Sequence, residues 1–146
     1  MISKREIVIY ADGFMKSKKE RIGGCSVAVY TNDKEYTRFK QYFDTSVLSK
    51  QFMSAPPTNN TSEYFSLTYA LYTARYLFEK AEDNNLKILI YIDSELLFKQ
   101  MNDYAVCNSG HLRNMYIRCK KIYDAYQPNI FIQWVTRKKI VEILGH

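Results

Sequence analysis

Thr58-Asn59-Asn60-Thr61-Ser62-Glu63 is the stretch on which the reading of this chain turns. It sets a turn, two amides able to read a sugar-phosphate backbone, hydroxyls able to cap a helix and a carboxylate at a helix start side by side. An apolar pattern of helical period follows. Tyr64, Leu67, Leu71, Ala74 and Phe78 recur at intervals of three and four, as on a helix face turned to a core. Thr61 or Ser62 is read as the cap of this helix and Asn84-Asn85 as its end.

Upstream, Ile7-Val8-Ile9-Tyr10-Ala11 is a β-rich run closed by Asp12-Gly13, where the first strand is predicted to end. Lys16 to Arg21 is a basic connection. A second strand covers Cys25 to Thr31, and after the Asn32-Asp33 turn a third, Glu35 to Phe43, alternates polar with aromatic residues as an edge strand does. Short connections make these three an antiparallel meander. Asp44 to Asn60 is a loop containing Pro56-Pro57.

Downstream, Lys87 to Ile92 is apolar almost throughout, as a central parallel strand requires, and Asp93-Ser94 follows it. A short helix is predicted over Glu95 to Met101. An amphipathic helix is predicted from His111 to Tyr126, with Leu112, Met115, Ile122 and Ala125 on its stripe, stopped by Pro128. A fifth strand covers Ile130 to Val135, and Lys139 to Leu144 adds a last helical turn.

Period-2 geometry puts Val8, Tyr10 and Asp12 on one strand face and Leu89, Tyr91 and Asp93 on another. If these strands are parallel neighbours joined by the long helix, both acids sit at strand carboxyl ends, where open α/β sheets bind ligands. Glu63, one turn before Leu67, can point to the same place. Taken singly, each acid has a commoner structural use: a turn former, a dipole partner, a cap. Together they would repel one another unless a cation were present, and Mg²⁺ answers that need, taking oxygen ligands while bridging to phosphates. Two such ions would activate water and stabilise the leaving oxygen of a phosphodiester, and Mn²⁺ could substitute.

The composition fits this chemistry. The chain has 146 residues, 47% hydrophobic and 25% charged, the size and balance of one globular domain over 1–146. Lys plus Arg number 21 against 15 Asp plus Glu, a net charge of +6 that favours polyanions. Cys25, Cys107 and Cys119 lack zinc spacing and are read as buried thiols of a reducing compartment. With no signal-peptide pattern and no apolar run of about 18 residues, the reading is a monomer of the cytoplasm or nucleus, or a viral protein acting there, with no membrane partner. The Asn59-Asn60-Thr61 and Asn60-Thr61-Ser62 acceptors are discounted on the same ground.

With those residues in place, the chain resembles the ribonuclease H family of type 1, in a compact form. Tyr10-Ala11-Asp12-Gly13 is similar to its first-strand motif, Gly23-Gly24 with the strand after it to its second, Thr58-Asn59-Asn60-Thr61-Ser62-Glu63 to its Thr-Asn-Asn-x-x-Glu segment and Ile92-Asp93-Ser94 to its Thr-Asp-Ser. Trp134-Val135-Thr136-Arg137 sits where its last strand ends. The resemblance implies an α/β, ribonuclease H-like fold: a five-stranded mixed sheet, meander plus parallel strands, with helices on both faces. It implies cleavage of the RNA strand of RNA-DNA hybrids by two divalent ions, leaving 5′-phosphate and 3′-hydroxyl ends.

Carried over, the resemblance makes Asp12, Glu63 and Asp93 catalytic metal ligands, with Glu142 the fourth if the preceding loop is shortened, and Gly13 beside the metals. Gly13, Asn59 and Asn60 would meet the RNA strand, reading its 2′-OH. Thr58 would touch DNA-strand phosphate. Ser94 and Arg137 would lie at the substrate, and Lys16, Lys18 and Lys19, with Arg21, would hold phosphates. Phe14 stands where the family has Ser or Thr, Glu95 where it has Gln, and Arg137-Lys138-Lys139 replaces its His-bearing loop. Two other readings stay open: a hybrid-binding module that cleaves poorly, and a DNA nuclease or resolvase of the same fold.

Overall fold

The computed structural model describes residues 6–17, 19–20, 22–32, 34–44, 59–108, 110 and 112–145. Its strands are β1 (Glu6–Ser17), β2 (Ile22–Thr31), β3 (Lys34–Asp44), β4 (Lys87–Ile92) and β5 (Ile130–Trp134). They form one sheet in the order β3-β2-β1-β4-β5. The β1–β2 and β2–β3 pairs are antiparallel, whereas β1–β4 and β4–β5 are parallel. The described helices are α1 (Asn59–Ala81), α2 (Glu95–Met101), α3 (Arg113–Ala125) and α4 (Arg137–Leu144).

Strand alternation divides the core in two. Ile7, Ile9 and Ala11 of β1, Val27 and Val29 of β2, Ile88, Ile90 and Ile92 of β4 and Ile130 and Ile132 of β5 join the buried cluster that includes Tyr64, Leu67 and Leu71 of α1 and Met115 and Cys119 of α3. On the opposite face Ala28, Ile140 and Leu144 form a smaller cluster beneath α4, flanked by Tyr10 and Tyr30. Each fully buried Leu or Ile contributes about 1.5–3 kcal/mol by leaving water. Helices therefore cover both faces of the mixed sheet.

Several predicted boundaries move. β1 does not stop at Asp12: it runs to Ser17, because β2 continues its ladder through Asp12↔Ser26, Gly13↔Cys25 and Phe14↔Gly24. Only the parallel pairing with β4 ends early, at Tyr10↔Tyr91. α1 is already helical at Asn59, so Thr61 and Ser62 are not its cap. Both are fully buried against the sheet side, with Ser62 Oγ 3.5 Å from Met15 Sδ. The helix ends at Ala81, ahead of Asn84-Asn85, where Glu82 turns to a φ of 53°. α3 starts at Arg113, and Ala125, predicted on its buried stripe, is exposed while Cys119 and Tyr123 take that face. α4 begins two residues before Lys139, with Thr136 Oγ1 accepting from Lys139 N at its start.

Candidate active site

The register of β1 and β4 builds the site from the sheet upward. Tyr10 and Tyr91 are parallel partners with rings stacked at 5.4 Å. Two residues further along the chain from each stand Asp12, still within β1, and Asp93, just after β4, both reached by Arg137 of α4. The two carboxylates are withdrawn from water, with side chains 1% and 7% exposed.

Glu63 reaches this place because main chain meets main chain. A Cβ on Gly13 would fall 2.1 Å from the Ser62 carbonyl carbon and 2.3 Å from Glu63 N, so only glycine lets α1 lie this close to β1. Glu63 then lines one pocket with Gly13, Phe14, Met15, Asp93 and Arg137. Ser94 links the elements: its Oγ accepts from Leu97 N at 3.2 Å, capping α2, and its hydroxyl also bonds the Glu63 carboxylate.

Arg137 stands in the middle. Its Nη1 donates to Asp12 Oδ2 and to Asp93 Oδ2, at 2.8 Å each. Burial, with the Asp93 charge beside it, pushes the Asp12 carboxyl up to about 7, although Arg137 pulls it down. Burial and the Asp93 charge likewise raise Glu63 to about 7, opposed by the Ser94 bond and Arg137. The Arg137 guanidinium is itself raised by its bonds to the two aspartates and stays charged.

The sequence reading gathers the three acids tightly around cations. In the structure the guanidinium takes the central position, and among the described residues no three His, Cys, Asp or Glu side chains stand close enough together to hold a metal ion. The donor chemistry nonetheless suits one. Carboxylates that are desolvated and mutually repelling, and already bridged by a cation, match the oxygen preference of Mg²⁺.

No family model matches the chain, and no curated protein matches its sequence significantly. Solved structures do. LC11-RNase H1 in complex with an RNA/DNA hybrid, from a compost metagenome, superposes with a TM-score of 0.73 at 21% identity, over 93% of this chain and 89% of that one. The chain has the ribonuclease H fold. The RNase H1 of the halophilic archaeon Halobacterium salinarum NRC-1 superposes with a TM-score of 0.72 at 19% identity, over 96% of this chain and 92% of that one. The RNase H domain of prototype foamy virus gives 0.60 at 17%, over 92% and 81%.

Within this ribonuclease H fold the remaining candidates fall in different places. Asn60 is half-buried in the first turn of α1, and Asn59 opens that helix. Thr58, Lys18 and Arg21 lie outside the described residues. Lys16 is exposed near the end of β1, its Nζ 4.5 Å from the Tyr42 ring centre, and Lys19 is exposed in the turn beyond. Glu142 is exposed and does not line the pocket of Glu63 and Asp93. Helical register is the reason. Ile140 and Leu144 take the buried face, while Glu142, five residues from Arg137, is turned about 140° around α4 from it.

The ribonuclease H fold also uses residues that sequence reasoning left aside. Phe14 and Met15 line the pocket. Phe14 stands out in the sequence as a departure from the family pattern, whereas Met15 carries no signal. The sequence places Arg137 at the substrate, and nothing in its neighbours in sequence foretells its pairing with two aspartates.

Proposed function

We propose that this chain is a ribonuclease H, an endonuclease that hydrolyses the RNA strand of RNA-DNA hybrids and leaves 5′-phosphate and 3′-hydroxyl ends. The observation that carries the reading is the meeting of Asp12, just past the end of the parallel β1–β4 pairing, and Asp93, just after β4, on one Arg137 guanidinium, beside a pocket that Asp93 and Glu63 line. It gains support from the fold likeness to an RNase H1 solved with an RNA/DNA hybrid.

In this reading Asp12, Glu63 and Asp93 would hold divalent cations, Mg²⁺ or in its stead Mn²⁺, which when bound supply water activation and stabilise the leaving oxygen. The chain's own residues prepare the pocket. Asp12 and Asp93 hold their side chains almost wholly out of water beside Arg137, Ser94 orients Glu63, and the close contact at Gly13 fixes one acid-bearing element against the other. Arg137, 56% exposed, is long enough to leave the aspartates for a substrate phosphate. Asn60 and the Gly13 backbone flank the path of the RNA strand, where a 2′-OH would be read.

The test is nicking of an end-labelled hybrid, with duplex DNA as control, in matched Mg²⁺ and Mn²⁺, by the native chain and Asp12→Asn. Hybrid-specific nicking lost in the variant is the expected result. A second reading, a hybrid-binding module without cleavage, is favoured by one observation, the Arg137 guanidinium between the two aspartates. Tight hybrid binding without cutting in either metal would establish it.

A further inference from the structure

The sheet face that carries Asp12 is covered unevenly. α4 packs over Ala28, Tyr10 and Tyr30, and its C-terminal turn is held by Arg38, whose Nη2 donates to Ile143 O at 2.6 Å. One cross-strand row further along lie Asp12, Ser26 and Lys40, and beyond them Phe14, Gly24 and Tyr42. In that last row Phe14 is half-buried and Tyr42 exposed.

The row is aromatic and basic in a built way. Gly24 makes it possible: a Cβ there would fall 2.5 Å from Phe14 Cζ, so the ring rests directly on the β2 backbone. Tyr42, 46% exposed, meets Phe14 edge-on at 6.0 Å between ring centres. Lys16 Nζ lies 4.5 Å from the Tyr42 ring centre and Lys40 Nζ 5.3 Å from that of Phe14, both on exposed residues. Phe14 is shared with the pocket of Glu63, Asp93 and Arg137, so the platform is continuous with the acids.

Aromatic faces interleaved with cations along a groove are how proteins hold single-stranded nucleic acid, the rings stacking on bases and the cations neutralising phosphates. A duplex hides its base faces and could use only the lysines. We propose that Phe14, Tyr42, Lys16 and Lys40 form a binding platform for single-stranded RNA that continues from the strand lying at the acids, so that the chain prefers hybrids with an RNA tail. RNA is the occupant because the strand at the pocket is, in the reading above, the RNA; the proposal rests on that reading for the identity of the tail alone.

Fluorescence anisotropy in EDTA tests it, using the full chain and a labelled blunt hybrid, the same hybrid with a single-stranded RNA tail at either end, the same hybrids with DNA tails, and the RNA tail alone. An RNA tail at one end should tighten binding about tenfold, the scale of one aromatic-base stack. Tyr42→Ala should remove that increment, Tyr42→Phe should keep it, and Lys40→Ala should lower the salt slope by about one contact. Thermal melting of each variant confirms folding.

Equal affinity for blunt and tailed hybrids overturns the proposal, as does an increment that survives Tyr42→Ala or an acidic peptide that competes as well as the RNA tail. A DNA tail that binds more tightly overturns the assignment to RNA. The two readings separate cleanly. Tail-dependent binding without hybrid nicking in Mg²⁺ or Mn²⁺ keeps the platform and removes the hydrolase, and nicking without a tail effect does the reverse.

Discussion

Arg137 donates from Nη1 to Asp12 Oδ2 at 2.8 Å, an ion pair between a half-exposed residue and one almost wholly withdrawn from water. The same nitrogen serves Asp93, so one cation neutralises a pair of acids that strand register forces together. Removing it leaves both carboxylates facing each other. Arg137→Ala should cost about 1–2 kcal/mol in metal-free buffer at pH 8, between the worth of an exposed and a buried pair. Each kcal/mol moves the melting midpoint by about 2–4 °C for a chain of this size. Added Mg²⁺ should close the deficit, and a melting temperature unmoved in EDTA would remove Arg137 from this role.

Titration offers an independent check. Asp12 and Glu63 are raised to about 7 from ordinary values of 3.8 and 4.5. Between those limits the folded chain holds protons that the unfolded chain has released, so stability falls as pH rises through that window. Below it the penalty is absent, and above it the penalty is complete. The metal-free protein should melt higher at pH 5 than at pH 8, and Glu63→Gln should flatten the difference. An opposite slope, followed by calorimetry, would refute the raised values.

Asp12→Asn should separate chemistry from folding. The buried carboxyl loses its charge at nearly constant shape, so the variant should melt within a few degrees of the native chain. Hybrid nicking should fall by more than the ~10–100-fold typical of a metal's outer partners. Gel assays on labelled hybrid measure it, and a variant that still cuts within that range would show that Asp12 is not a ligand.

Glu142→Gln bears on the fourth acid. The side chain is exposed on α4 and does not line the pocket of Glu63 and Asp93, and changes at such exposed positions shift folding stability by about 0.5 kcal/mol at most. Steady-state nicking rates in Mg²⁺ and Mn²⁺ should therefore match the native chain. A loss confined to Mg²⁺ would restore Glu142 to the site.

Gly13→Ala should be the most damaging small change. The added methyl would meet Ser62 main chain at 2.1 Å, which no side-chain rotation relieves. A loss of about 3 kcal/mol or more is expected, the upper end for overpacking, read as a lowered urea midpoint. A midpoint near the native one would mean that β1 and α1 can part without cost.

Much of this was legible in the chain because period and strand ends carry it. The apolar stripe Tyr64, Leu67, Leu71 and Ala74 is buried as its spacing requires, β4 spans Lys87–Ile92 and α2 spans Glu95–Met101 as read. The run of Asp12 past its predicted stop was hidden because a strand with two neighbours ends separately on each side, and sequence pattern cannot say which neighbour persists. The inward turn of Thr61 and Ser62 was hidden for a related reason: a cap and a close helix-strand contact both call for small polar residues. Glu142 depends on a helix register that one residue of loop length resets, and the bridging of two aspartates by Arg137 is a tertiary fact with no local signature.

The backbone seam where Gly13 abuts Ser62 sets the main-chain distance between Asp12 and Glu63 whatever rotamers they take. A chain assembled in this manner can exchange the charges it presents, or forfeit one, while the spacing survives. Its reactive groups are replaceable parts; the join beneath them is not.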